Sequence, residues 1–294
     1  MFSGSITALV TPFKDGKVDE ANLKRLIEFQ ITNGTNGVVP CGTTGESATL
    51  SYEEHNRVIE LTIETAAKRV PVIAGTGSNS TEETIFLTKH AKKAGADAAL
   101  LITPYYNKPT QQGLYEHYKK VAEAVDIPIV LYNVPGRTSV NMLPETVARL
   151  SEIKNIIGIK EATGNLQQVS DLIEYSKKGF IILSGDDFTT LPMLSIGGHG
   201  VISVTSNIAP KDMSDMIRLF LEGKTEEAKG LHFRLQSLHR SMFIETNPIP
   251  VKTALALMGM CEEEFRLPLT RMSEANRNKL INTLKNYGLG VTRS

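Results

Sequence analysis

Short apolar runs alternate along the chain with longer stretches whose apolar positions recur at helical spacing. The runs predict strands at Ser5–Val10, Gly37–Pro40, Val70–Gly75, Ala98–Ile102, Ile129–Tyr132, Ile156–Lys160, Phe180–Leu183 and Val201–Ser203. Between them, Asp19–Thr32 carries Leu23, Leu26, Ile27 and Ile31 on one helical face, and Asn33-Gly34 supplies its left-handed stop. Further helices are expected at Tyr52–Lys68, Gln111–Val125, Leu143–Leu150, Leu166–Lys177 and Thr189–Ile196. Another starts after Ser80, with Glu83 completing a capping box, and is closed by Lys92–Gly95. Past the last strand only helical periodicity remains, at Met213–Glu222, Thr225–Met242, Val251–Leu257 and Glu274–Tyr287.

Repeated strand–helix alternation implies parallel βαβ units with right-handed crossovers. Eight such units imply closure into an α/β barrel of the (β/α)8 TIM type with a C-terminal helical extension. The rival, an open doubly wound sheet, lacks its G-x-G-x-x-G turn after the first strand. The expected division is a catalytic barrel over residues 1–208 and, over 209–294, helices packed on it without a linker between.

Lys+Arg and Asp+Glu both number 32, so no net field recruits nucleic acid or an anionic membrane. No apolar run approaches bilayer length, and Met1 to Phe13 reads as a first strand, not a signal peptide. Two distant cysteines, Cys41 and Cys261, suit a reducing interior. A cytoplasmic protein is the expectation.

Barrel chemistry sits in the loops after the strands. Those loops carry Cys41-Gly-Thr-Thr-Gly-Glu46, Thr103-Pro-Tyr-Tyr-Asn107, Tyr132-Asn-Val-Pro-Gly-Arg-Thr138 and Ser184-Gly-Asp-Asp187, while the sixth strand ends in Lys160. A lysine there either snorkels to water or enters a closed pocket, where desolvation favours the neutral, nucleophilic amine. The convergence of tyrosines, an arginine and a glycine–threonine loop on the same rim favours the pocket. Gly42–Glu46 suits a carboxylate: glycines admit backbone N–H groups, and Thr43 and Thr44 add donors. It is also compatible with a plain turn before a helix. Arg137 either forks onto a carboxylate or lies on the surface. Asp186 and Asp187 are candidate helix caps, and Gly197–Gly200 is a tight connection or a phosphate-like loop. The six histidines show no metal-ligand spacing, and His232 and His239 share a face of the extension remote from the strand ends. No metal is expected.

Together, Gly42–Glu46, Tyr132–Thr138, Gly158-Ile-Lys-Glu-Ala-Thr163 and Ser184–Asp187 resemble the dihydrodipicolinate synthase family, within the pyruvate-dependent class I aldolases. The resemblance covers essentially the whole chain, including Pro248–Lys252. It implies a lyase of lysine and diaminopimelate biosynthesis that condenses pyruvate with L-aspartate 4-semialdehyde through a Schiff base on Lys160, with no cofactor. It further implies that Thr43 and Thr44 hold the pyruvate carboxylate. Thr44, Tyr132 and Tyr106 would form a proton relay, with Tyr106 from a neighbouring subunit. Arg137 would bind the semialdehyde carboxylate, and Gly185, Asp186 and the Ile202 carbonyl would line the site. The family is commonly a homotetramer, a dimer of dimers, and many members are inhibited by L-lysine. Ser47, Ala48, His55, Asn79, Glu83 and Tyr105 match the lysine-binding positions, whereas Tyr52 departs from a histidine often found there. Alternatives are a lyase of the N-acetylneuraminate or keto-deoxy sugar acid type, which lacks the arginine, and a metabolite-binding barrel without chemistry.

Overall fold

Each apolar run forms a strand because both of its faces are covered, one by the interior of a barrel and the other by a helix. The computed structural model describes residues 2–292; the expected limits Met1 and Ser294 lie outside the described residues. The barrel strands are β1 (Gly4–Ala8), β2 (Gly37–Val39), β3 (Ile73–Gly75), β4 (Ala98–Ile102), β5 (Ile129–Asn133), β6 (Ile156–Glu161), β7 (Ile181–Ser184) and β8 (Gly200–Ser203). They pair in parallel in the order β2-β1-β8-β7-β6-β5-β4-β3, and a bridge between Val38 and Val72 joins the two ends. The third strand starts later than its apolar run because Pro71 has no N–H to give; its carbonyl accepts Val38 N–H at 3.0 Å instead.

Alternation along the strands sorts the core into layers. Ile6, Val39, Ile73, Leu100, Val130, Leu183 and Ile202 fill the barrel. Their neighbours Leu101, Leu131, Ile159 and Ile182 face outward and pack with Leu114, Tyr118, Val147 and Leu172 of the surrounding helices. On β6 the interior positions are Gly158 and Lys160. A side chain at 158 would meet Ile181 O at 2.6 Å, so glycine is what lets β6 and β7 approach there.

The outer helices are α1 (Glu20–Thr32), α2 (Tyr52–Ala66), α3 (Thr81–Ala94), α4 (Gln111–Ala124), α5 (Pro144–Ser151), α6 (Leu166–Tyr175), α7 (Thr190–Ser195) and α8 (Pro210–Leu221). Helix α8 follows β8 and packs on β1, where the eighth helix of a barrel sits. Then come α9 (Thr225–Met242), α10 (Ile249–Leu257) and α11 (Glu274–Tyr287). One apolar cluster joins Val10, Leu26, Val201 and Val204 of the barrel to Leu235, Leu238, Val251, Leu255, Leu280 and Leu284.

The capping box expected at Ser80 is half made. Ser80 Oγ accepts Glu83 N–H at 3.3 Å, but the Glu83 carboxylate turns away to Tyr52 and Ser78. The complete box is at Ser51, whose Oγ accepts Glu54 N–H while Glu54 accepts Ser51 N–H at 3.0 Å.

Candidate active site

Strand register brings the first two groups together. Tyr132 on β5 pairs with Lys160 on β6, and residues paired across parallel strands project to the same face. Both therefore point into the barrel, and Lys160 Nζ lies 4.2 Å from the centre of the Tyr132 ring. Lys160 is only 6% exposed. Its stem runs past Gly185, where an added Cβ would lie 2.7 Å from Ala162 Cβ and 3.0 Å from Lys160 Cε. Glycine at 185 thus leaves the space that the lysine occupies.

The loop after β2 turns tightly, with Gly42 O accepting Gly45 N–H at 3.1 Å and Thr43 O accepting Glu46 N–H at 3.1 Å. Cys41 and Glu46 bracket it with positive φ of 55° and 53°, a left-handed conformation that costs a non-glycine residue energy. Thr44 is buried, and its Oγ1 accepts a hydrogen bond from Asn247 Nδ2 at 3.1 Å. Asn247 also ties down Arg137: from the one-turn helix Pro135–Thr138, the guanidinium donates to Asn247 O at 3.1 Å. Thr43, Tyr132, Arg137 and Asn247 line one cavity of about 660 Å³.

Next to Lys160, Glu161 points outward and is buried. It accepts Thr163 N–H at 2.6 Å, Asn133 Nδ2 at 3.0 Å and Gln168 Nε2 at 3.2 Å, while burial raises its pKa above the ordinary carboxylate value. Asp186 caps a short 3-10 turn by accepting Phe188 N–H at 3.2 Å, and burial raises its pKa too. Asp187 is no cap for that turn; it reaches across to accept Val204 and Thr205 N–H at 3.1 and 2.9 Å. Ile202 is buried in the barrel interior on β8. His199 serves the tight connection: its N–H bonds Ile182 O, and its Nδ1 accepts Ile182 N–H.

The placement of His239 corrects the expectation. Helix α9 crosses back over the ends of β7 and β8, so His239 is buried there, bonded to Thr205 Oγ1 at 2.8 Å and edge-on to Phe188. Burial holds its pKa below the ordinary imidazole value. Among the described residues, no cluster of histidine, cysteine or carboxylate has a metal-binding arrangement.

Tyr106 is not brought to Lys160 within this chain. It is 86% exposed, its N–H held by Asn79 Oδ1 at 2.9 Å. The other outlying candidates, Ser47, Ala48, His55, Asn79, Glu83 and Tyr105, line the same cavity as Arg137. Asn79 Oδ1 accepts Tyr105 N–H at 2.7 Å, and His55 Nε2 is 2.9 Å from Gly75 O. Tyr52 donates its phenol to Glu83 at 2.6 Å; bonds from Ser78 and then Tyr52 hold the Glu83 pKa below the ordinary value.

Two contributors went unseen in the sequence: Asn247, and the ion pair between Glu46 and Lys252, which buries both side chains. Burial lowers the Lys252 pKa, and Glu46 acts against that. No local spacing signals a partnership between residues 46 and 252.

A family model described as the dihydrodipicolinate synthetase family matches residues 1–287. A 4-hydroxy-tetrahydrodipicolinate synthase of Thermodesulfovibrio yellowstonii is 61% identical over 289 residues, covering 98% of this chain and 99% of that one. The crystal structure of a dihydrodipicolinate synthase from Aquifex aeolicus superposes with a TM-score of 0.98 at 53% identity, covering 99% and 100% of the two chains. One from Cyanidioschyzon merolae, solved with lysine bound, superposes at 0.95 with 42% identity over 98% and 99%.

Proposed function

The chain belongs to the dihydrodipicolinate synthetase family, and from that membership we propose how its residues divide the work of the reaction. The activity is that of a 4-hydroxy-tetrahydrodipicolinate synthase, a Schiff-base-forming lyase that joins pyruvate to L-aspartate 4-semialdehyde. In our reading, the Lys160 amine adds to the ketone carbon of pyruvate and water leaves, giving an iminium. Loss of a methyl proton makes the enamine, whose carbon attacks the aldehyde. The amine of the second substrate then closes the ring on the imine carbon and displaces Lys160. The iminium is itself the electron sink, so Lys160 supplies covalently what a cofactor would otherwise provide.

Thr43 and Thr44 take the pyruvate carboxylate. Because Asn247 occupies a lone pair of Thr44 Oγ1, the Thr44 proton is free for the Tyr132 side of the pocket. Tyr132 shuttles protons, since a phenol both donates and accepts. Tyr106, exposed in its own chain, completes the relay from a neighbouring subunit of a homotetramer built as a dimer of dimers. Arg137 takes the semialdehyde carboxylate, with Gly185, Asp186 and Ile202 as walls. The single observation that carries this reading is the buried amine of Lys160 inside the barrel against the Tyr132 ring.

We place L-lysine as an inhibitor at Ser47, Ala48, His55, Asn79, Glu83 and Tyr105, supported by their shared cavity and by the lysine-bound relative. The barrel runs past the expected limit of 1–208 to take in its eighth helix, α8 (Pro210–Leu221). With the remainder of the expected 209–294 extension it acts as one cytoplasmic catalytic unit.

Turnover of aspartate semialdehyde, compared with N-acetylneuraminate and 2-keto-3-deoxygluconate, tests substrate choice. Arg137→Ala should raise the semialdehyde KM about tenfold or more with little change in the pyruvate KM. An unchanged semialdehyde KM would remove Arg137 from that role.

A further inference from the structure

The turn that carries Thr43 and Thr44 is strained, and the barrel alone does not explain what holds it. Its flanks, Cys41 and Glu46, both sit at positive φ. Strain of this kind persists where the surroundings over-determine the conformation. Three restraints come from the barrel side. Gly45 is hemmed in by Cys41 N, Leu9 O and Thr11 Oγ1, each 3.2 Å from where a Cβ would stand. Thr11 Oγ1 donates to Gly45 O at 2.7 Å. Gly75 gives Cys41 room, since a Cβ there would lie 2.3 Å from Cys41 O.

The remaining restraints come from beyond the barrel. The Glu46 carboxylate is paired with Lys252 Nζ of α10, and its second oxygen accepts Arg266 N–H at 3.3 Å. Lys252 is itself fixed: Nζ donates to Glu264 O at 3.1 Å and lies 4.1 Å from the centre of the Phe13 ring. Arg266 stacks on the same ring at 4.3 Å and forks onto Glu54 at 2.5 and 2.6 Å. The chain just before α10 reaches the same turn a second time, through Asn247 to Thr44. A buried ion pair is a poor source of net stability, because desolvation offsets most of the attraction. Its use here is better sought in geometry.

We infer that Glu46 and Lys252 are positioning residues for the reaction, fixing the Thr43–Thr44 turn so that the helical extension completes the pyruvate-carboxylate site. The inference rests on the reading of Thr43 and Thr44 as the carboxylate holders. The pair touches no substrate. Its effect passes through the turn, so it falls on pyruvate capture and not on the second substrate.

The experiment uses the full chain and reads melting temperature together with KM for each substrate. Glu46→Asp keeps both charges but shortens the reach by one methylene. The double variant Glu46→Gln with Lys252→Met removes the pair without stranding a charge. Both should raise the pyruvate KM, the double variant by about tenfold or more, with less than about a twofold change in the semialdehyde KM. A folded double variant with the wild-type pyruvate KM overturns the inference. If the double variant does not fold, E46D decides alone, and an unchanged pyruvate KM there is equally fatal. Thr44→Val, run in parallel, separates the two readings. A raised pyruvate KM in T44V with none in E46D removes only the positioning role. An unchanged one in T44V removes the carboxylate role and this inference with it.

Discussion

Gly185 shows how one hydrogen atom in place of a methyl group decides whether Lys160 has room. An added Cβ would crowd both Ala162 Cβ and the lysine stem. Gly185→Ala should therefore lower kcat/KM at least about a hundredfold, while costing only about 1–3 kcal/mol of stability. A denaturation curve measured beside the rate separates the two effects, and near-normal activity would show that the stem can shift freely. His117 makes a different claim at the same scale. Burial presses its pKa from 6.5 to about 4, with Thr81 Oγ1 2.9 Å from Nδ1. Between those values the unfolded chain binds the proton and the folded chain does not, so stability falls as pH drops through this window. The loss is about 3 kcal/mol, complete below pH 4. His117→Asn should flatten that acid limb in urea titrations at successive pH values; an identical slope would refute the assignment. Lys160 and Tyr132 were legible as candidates because strand ends in a barrel are where chemistry sits. Asn247 was not, since a proline-flanked asparagine far along the chain reads as a turn.

At the scale of the element, position along the chain was easier to read than partnership. Ser51-Tyr-Glu-Glu54 and Ser80-Thr-Glu-Glu83 carry the same capping pattern, yet only the first closes both bonds. Glu83 is drawn off by Tyr52 and Ser78, groups that no local rule brings into view. Ser51→Ala should destabilise the protein by about 1 kcal/mol, with a lower melting temperature and little change in chemistry. A larger fall in activity than in stability would mean that the start of α2 shapes the cavity directly. The strands were found because each apolar run fills both the barrel and the layer outside it. Helix α9 was found too, but its path back across the strand ends was not, and His239 was misplaced with it. Helical periodicity gives a face; it does not say what the face meets.

Across the whole molecule, one apolar cluster runs from Val10 and Val201 to Leu255 and Leu284. Barrel and extension should accordingly unfold together, with fluorescence and circular dichroism transitions that coincide. Two separate transitions would mean that the extension holds itself up. The (β/α)8 plan was legible because its period repeats, whereas the Glu46–Lys252 link was not, because it joins distant parts of the chain. The central claim is that the amine of Lys160, enclosed within the barrel beside Tyr132, captures pyruvate. Borohydride reduction in the presence of pyruvate, followed by peptide mass spectrometry, tests it most directly. A reduced pyruvate adduct on the peptide containing Lys160, abolished in Lys160→Ala, is the expected result; an unmodified Lys160, or an adduct on another lysine, would contradict it.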